Sequence, residues 1–159
     1  SYLPNLGAND HEVEAVLGAI NCTGPTKEIS RLHFREPVER VIGCALATAD
    51  YLGQMAADDY PDELEILFEE FQESDDFIHL PAPRRVFKSA TDLKQRTPLF
   101  WQKFVMRKLE SDFQAMYRFL ARPFPHGPNP YLEAVERNIA EIRRRNALAL
   151  AAPAFAVAK

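Results

Sequence analysis

Apolar positions recur with a helical period along most of the chain. Asn9, with Glu12 three residues later, has the form of a capping box, and Val13, Val16, Leu17 and Ile20 follow at i, i+3, i+4 and i+7. Gly24-Pro25 closes this first helix. Pro37 suits the first turn of a second helix, whose broad apolar face carries Val38, Val41, Ile42, Ala45, Leu46, Ala49 and Leu52. A third helix starts at Pro61, carries Leu64, Leu67, Phe68 and Phe71, and closes before Ser74-Asp75-Asp76. The prolines of Leu80-Pro81-Ala82-Pro83-Arg84-Arg85 exclude a helix and predict an ordered loop. Thr97 caps a helix opening at Pro98, and a long amphipathic stretch runs from Leu99 to about Arg122. Its apolar residues include Trp101, Val105, Leu109, Phe113, Met116, Tyr117 and Leu120. After the break at Pro123-Phe124-Pro125-His126-Gly127-Pro128, Asn129-Pro130 starts a last helix with Leu132, Val135, Ile139 and Ile142. The pattern contains no strand and no tandem repeat. It predicts an all-α bundle of about five or six helices, one domain over 1–146, and an apolar tail over 147–159 that frays or docks on a neighbour.

Composition narrows the partners. The 159 residues are 47% hydrophobic and 26% charged, enough for one soluble domain and unlike a disordered chain or a disulfide-stapled miniprotein. Nineteen basic residues against twenty-three acidic ones give a net charge of −4, which disfavours a phosphate backbone as ligand, so nucleic acid is not expected. No apolar run approaches the ~18 residues of a membrane span, and no membrane partner is expected. Cys22 and Cys44 form neither a CxxC pair nor a zinc spacing, and read as buried reduced thiols. Ser1-Tyr2-Leu3-Pro4-Asn5 has no basic and apolar leader, which predicts a cytoplasmic protein. The absence of an initiator Met predicts a trimmed or partial chain.

The familiar catalytic motifs are missing: no GxSxG, no phosphate-binding GxxxxGK[ST], no GxGxxG and no HExxH. His11, His33, His79 and His126 are far apart and read as surface or capping residues. The aromatic stripe Phe100, Trp101, Phe104, Phe113 and Tyr117 reads as core. Asp50 is different. It lies in Ala45-Leu46-Ala47-Thr48-Ala49-Asp50-Tyr51-Leu52-Gly53-Gln54-Met55, a helix of small and apolar residues, where a carboxylate is costly unless paired or metal-bound. Gln54 follows one turn on, on the same face. A pairing with Arg40 or Lys103 is the plainer reading. Arg84, Arg85 and Lys88 form a basic cluster beside the proline loop that could receive a phosphate, or could simply be solvated.

The stretch Thr48-Ala49-Asp50-Tyr51-Leu52-Gly53-Gln54-Met55, followed by Tyr60, Leu64 and Leu67-Phe68-Glu69-Glu70-Phe71, resembles the later half of HD-domain metal-dependent phosphohydrolases. Thr97-Pro98-Leu99-Phe100-Trp101 and Asn129-Pro130-Tyr131-Leu132 are similar to one subgroup of them. The resemblance implies an HD-like helical fold and makes Asp50 the match of the last metal ligand. It implies a divalent ion (Mg, Mn or Fe) and a phosphorylated small molecule or nucleotide as substrate, with Gln54, Arg84, Arg85 and Lys88 as substrate-binding candidates. The family's other ligands, a His and an adjacent His-Asp pair, precede that Asp. This chain has no His-Asp dipeptide, and its earlier histidines, His11 and His33, do not fit the pattern. The catalytic residues are therefore not named by the sequence, and the chain as it stands is expected to be inactive, the later part of an enzyme or a degenerate relative. The competing expectation is a non-catalytic helical interaction or regulatory module. In either case the apolar tail predicts a homo-oligomer.

Overall fold

Asn9 opens the first helix as its sequence predicts: its side chain accepts the Glu12 amide at 3.0 Å while the Glu12 carboxylate accepts the Asn9 amide at 2.8 Å. The computed structural model describes residues 3–25 and 27–151. It carries α1 over Asp10–Thr23, α2 over Pro37–Ala56, α3 over Tyr60–Phe77, α4 over Ala90–Phe100 and α5 over Pro130–Ala151, with no strand among the described residues. Two π-helical segments, Trp101–Val105 and Lys108–Asp112, prolong α4. No helix among the described residues is long and apolar enough to cross a membrane. The fold is all-α.

Prolines start α2 and α5 where their missing N–H costs nothing, and Asn129 caps α5 by accepting the amides of Tyr131 and Leu132 at 3.0 and 3.2 Å. The core gathers around the prolonged α4. Trp101, Val105, Leu109 and Phe113 pack with Val135, Ile139 and Ile142 of α5 and with Leu52, Leu64 and Leu93. Trp101 donates to Glu136 at 2.7 Å, so its indole N–H stays satisfied inside. Asn138 fastens α5 to the end of α2 by donating to the Met55 and Ala57 carbonyls at 2.9 and 2.7 Å. Cys22 and Cys44 are buried and free, as expected.

Several boundaries differ from the sequence reading. The third helix does not stop before Ser74 but runs to Phe77; Arg85 takes up Asp76 in an ion pair and the Leu80 carbonyl, compensating acidic charge at a helix C-terminus. The loop that follows contains a short 3₁₀ turn at Ala82–Arg84. Thr97 is not a cap. α4 begins at Ala90, where the Ser89 hydroxyl accepts the Asp92 amide at 3.0 Å and Asp92 accepts that of Lys88 at 3.0 Å. Pro98 then lies inside the helix and cannot donate to the Lys94 carbonyl; Asn146 of α5 donates to it instead, at 2.8 Å. The long stretch is not one helix to Arg122. It ends at Asp112, where Gln114 and Ala115 adopt φ of 56° and 54°, and a 3₁₀ turn follows at Met116–Leu120.

The largest difference concerns α1 and α2. The side chains expected to face the core, Val16, Leu17 and Ile20 on α1 and Val38, Val41, Ile42 and Leu46 on α2, are exposed. The helices pack instead through Ala19, Cys22, Gly43 and Cys44, and Gly43 is needed there: a Cβ on it would lie 2.6 Å from the Cys22 sulfur. At the other end of the chain, α5 continues to Ala151, five residues into the expected tail; 152–159 lie outside the described residues.

Candidate functional site

α2 places Asp50, Tyr51 and Gln54 along one side of a cleft of about 190 Å³. The end of α1 contributes Thr23 and the next loop Pro25, while Leu67 and Phe71 of α3 and Leu93 and Phe100 of α4 form the wall. The i, i+4 spacing thus brings Gln54 beside Asp50 as the sequence implies. The wall is mainly aromatic and aliphatic, not the polar lining that a metal pocket would lead one to expect. Nor is Asp50 buried: it is exposed, at the edge of the cleft. Desolvation by the neighbouring surface raises its pKa from the ordinary carboxylate value, and among the described residues no neighbouring cation opposes this. The pairing with Arg40 or Lys103 does not form.

Tyr51 is the residue that sequence reasoning passed over. Its hydroxyl is buried with no hydrogen-bond partner among the described residues, and its ring packs edge-on to Phe113 with centroids 5.4 Å apart. Burial raises its pKa to about 12, with the Asp50 and Asp112 carboxylates adding to the effect. Burial also raises that of Tyr60, which lines the same cleft. The signal available in the sequence was adjacency: Tyr51 follows Asp50 directly, but the single helix gives no view of Phe113.

A second cleft, of about 270 Å³, adjoins the first and shares Gln54, Tyr60 and Leu67 with it. It adds Asp59, Glu63 and Glu70, so among the described residues the two openings together carry four carboxylates and no basic side chain. Such a mouth repels a phosphate dianion unless a cation comes between them. The basic candidates lie elsewhere. Arg84, Arg85 and Lys88 belong to the α3–α4 connection and line neither cleft. Arg85 is spent on Asp76 and Leu80, and Lys88 serves the α4 cap through its backbone. Of the histidines, His11 pairs with Glu39 at 2.7 Å on the α1–α2 side.

Among the described residues no three His, Cys, Asp or Glu side chains are grouped so that they could hold a metal ion. A catalytic divalent ion needs several ligands and an open position, so Asp50 with its described neighbours does not fit such an ion. Comparison of the chain with protein-family models, with curated proteins and with solved structures gives no match.

Proposed function

We propose that this chain is the Asp50-bearing part of a metal-dependent phosphohydrolase of the HD type. The observation that carries the reading is Asp50 itself, a carboxylate without an ion-pair partner among the described residues, on the TADYLGQM helix at the edge of a cleft, with Gln54 one turn on. The acidic mouth by itself repels a phosphate, so this reading requires an intervening cation with ligands besides the described residues.

The described residues supply one ligand of such a set, and no reaction step is assigned to them. Their part is positional. α2 holds the carboxylate, Gln54 offers an amide donor beside it, and Tyr60, Phe71 and Phe100 keep one wall apolar. The test is the coding sequence ahead of Ser1. A polypeptide extended there by a His and a later His-Asp pair should hydrolyse bis-p-nitrophenyl phosphate with Mn²⁺, and Asp50→Asn should abolish turnover without lowering the melting temperature. Turnover retained in Asp50→Asn ends the reading.

A second reading is a non-catalytic helical interaction module. The exposed apolar face of α2 supports it, and a complete gene without the His and His-Asp residues would favour it over the enzyme.

A further inference from the structure

α2 is apolar on both of its sides. Gly43, Cys44, Ala47, Thr48, Leu52 and Met55 are buried against the bundle. Val38, Val41, Ile42, Ala45, Leu46, Ala49 and Gly53 recur at helical spacing on the opposite side and are exposed, Val38 at 58% and Ile42 at 54%. The one charged side chain on that side is Asp50, the next after Leu46 in the Val38-Ile42-Leu46 row, and it marks the edge of the apolar face. A helix apolar all round belongs in an interior.

The face also has a relief. Val38, Ile42 and Leu46 form one i, i+4 row of large side chains, a ridge. In the neighbouring i, i+4 row Val41 is followed by Ala45, Ala49 and Gly53, a groove of small residues, and at Gly53 an added Cβ would meet nothing within 4 Å. The ridge fills the N-terminal half and the groove extends through the C-terminal half. Turning the helix end over end lays one on the other.

We propose that this face is the interface of a homodimer in which α2 packs antiparallel on α2 of a second copy. Ile42 then sits in the space over the partner subunit's Gly53, and Leu46 over the partner's Ala49, with each contact repeated by the two-fold. This is ridge-into-groove packing between rows of equal spacing. Self-pairing of most surfaces opposes like charges; in this register Asp50 falls opposite the partner's Ala45, and no carboxylate directly opposes another. Val38, Val41, Ile42 and Leu46 each stand more than 40% exposed, apolar area that a second copy would remove from water. α2 lines the cleft through Asp50, Tyr51 and Gln54, whereas the proposed contact uses its Val38–Gly53 face, and the dimer does not rest on the phosphohydrolase reading.

The experiment is sedimentation equilibrium of the purified chain up to about 100 μM, a range that covers ordinary transient affinities. Twice the 18.1 kDa chain mass is expected. Gly53→Leu should weaken association at least tenfold while its monomer melts no earlier than the parent, because the added side chain enters open space and a good helix former replaces glycine. Adding Ile42→Ala to Gly53→Leu exchanges large and small across the contact and should restore the dimer. A monomer at every concentration, unstructured aggregation, or a dimer indifferent to Gly53→Leu overturns the proposal.

Discussion

The two halves of the bundle carry the same kind of sequence and meet different fates. Around α4 and α5 each apolar row finds a partner: Val105, Leu109, Phe113, Val135 and Ile139 are wholly buried. On α1 and α2 equally regular rows stay in water, and the pair is held through small residues, Ala19, Gly43 and Cys44, that allow close approach. Helical periodicity therefore identifies a face that wants cover without telling what provides it. The closed half is a core; the open half is a surface with the composition of a core.

The sharpest contrast is energetic. Leu109→Ala should cost about 3 kcal/mol, the transfer of a buried side chain plus the cavity it leaves. Ile42→Ala, read on the monomer at low concentration, should stay within about 0.5 kcal/mol, as for other exposed sites. Denaturant titration of both variants checks the pair. Equal losses would mean that the α2 face is covered within one copy, and the contrast would vanish.

Next in size is the joint between the halves. Asn138→Ala removes two hydrogen bonds to the end of α2 and strands the Met55 carbonyl, a loss of roughly 1–2 kcal/mol. Amide hydrogen exchange should show the last turn of α2 opening more readily, with the α4–α5 core unchanged. Exchange rising equally throughout would show that the halves unfold as one.

How far this could be read in advance depends on whether the signal was local. Asn9 with Glu12, Pro37, and Asn129 with Pro130 fix helix starts through contacts within one turn, and the sequence shows each of them. Ser89-x-x-Asp92 is as local, and was obscured by the more conspicuous Thr97-Pro98. That proline is accommodated inside α4 by Asn146, which donates to the Lys94 carbonyl from 52 residues further along the chain. On α2 both sides are apolar, so the period could not choose the buried one, and the choice fell to Gly43 against Cys22. At the site, Asp50 and Gln54 were visible as one helix face. Leu67, Phe71, Leu93 and Phe100 come from other helices, and no spacing within α2 announces them.

The open half also has the more pH-sensitive clasp. Glu39 loses solvent on folding, which raises its pKa, but the Arg35 amide at 2.9 Å and the His11 ring outweigh this and set it below the ordinary 4.5. A carboxylate lowered on folding adds stability above its unfolded pKa and loses it as pH falls through the folded one. Glu39→Gln should thus have a lower unfolding midpoint than the parent at pH 7, with the gap closing below about pH 4. A gap that persists in acid would show that packing, and not charge, joins α1 to α2 at this point.

The smallest effect belongs to Asp50 and has the opposite sign. Its pKa is raised by desolvation, so the folded chain prefers the protonated form. Stability from this group is present at low pH and declines as pH rises through the window between the ordinary value of 3.8 and the raised one. At pH 7 the penalty is in force, and Asp50→Asn should relieve it. Because the carboxylate is exposed on one side, solvent screens most of the cost, and the gain should be only a few tenths of a kcal/mol. Below the window both variants should melt together. A carboxylate that served the fold through an ion pair would behave otherwise: its removal would strand a cation and cost about 3 kcal/mol. Thermal melts of Asp50→Asn and the parent at pH 7 and pH 3 separate the two cases. A clear loss at pH 7 would move Asp50 from the site to the scaffold, and with it would go the one carboxylate on which the phosphohydrolase reading depends.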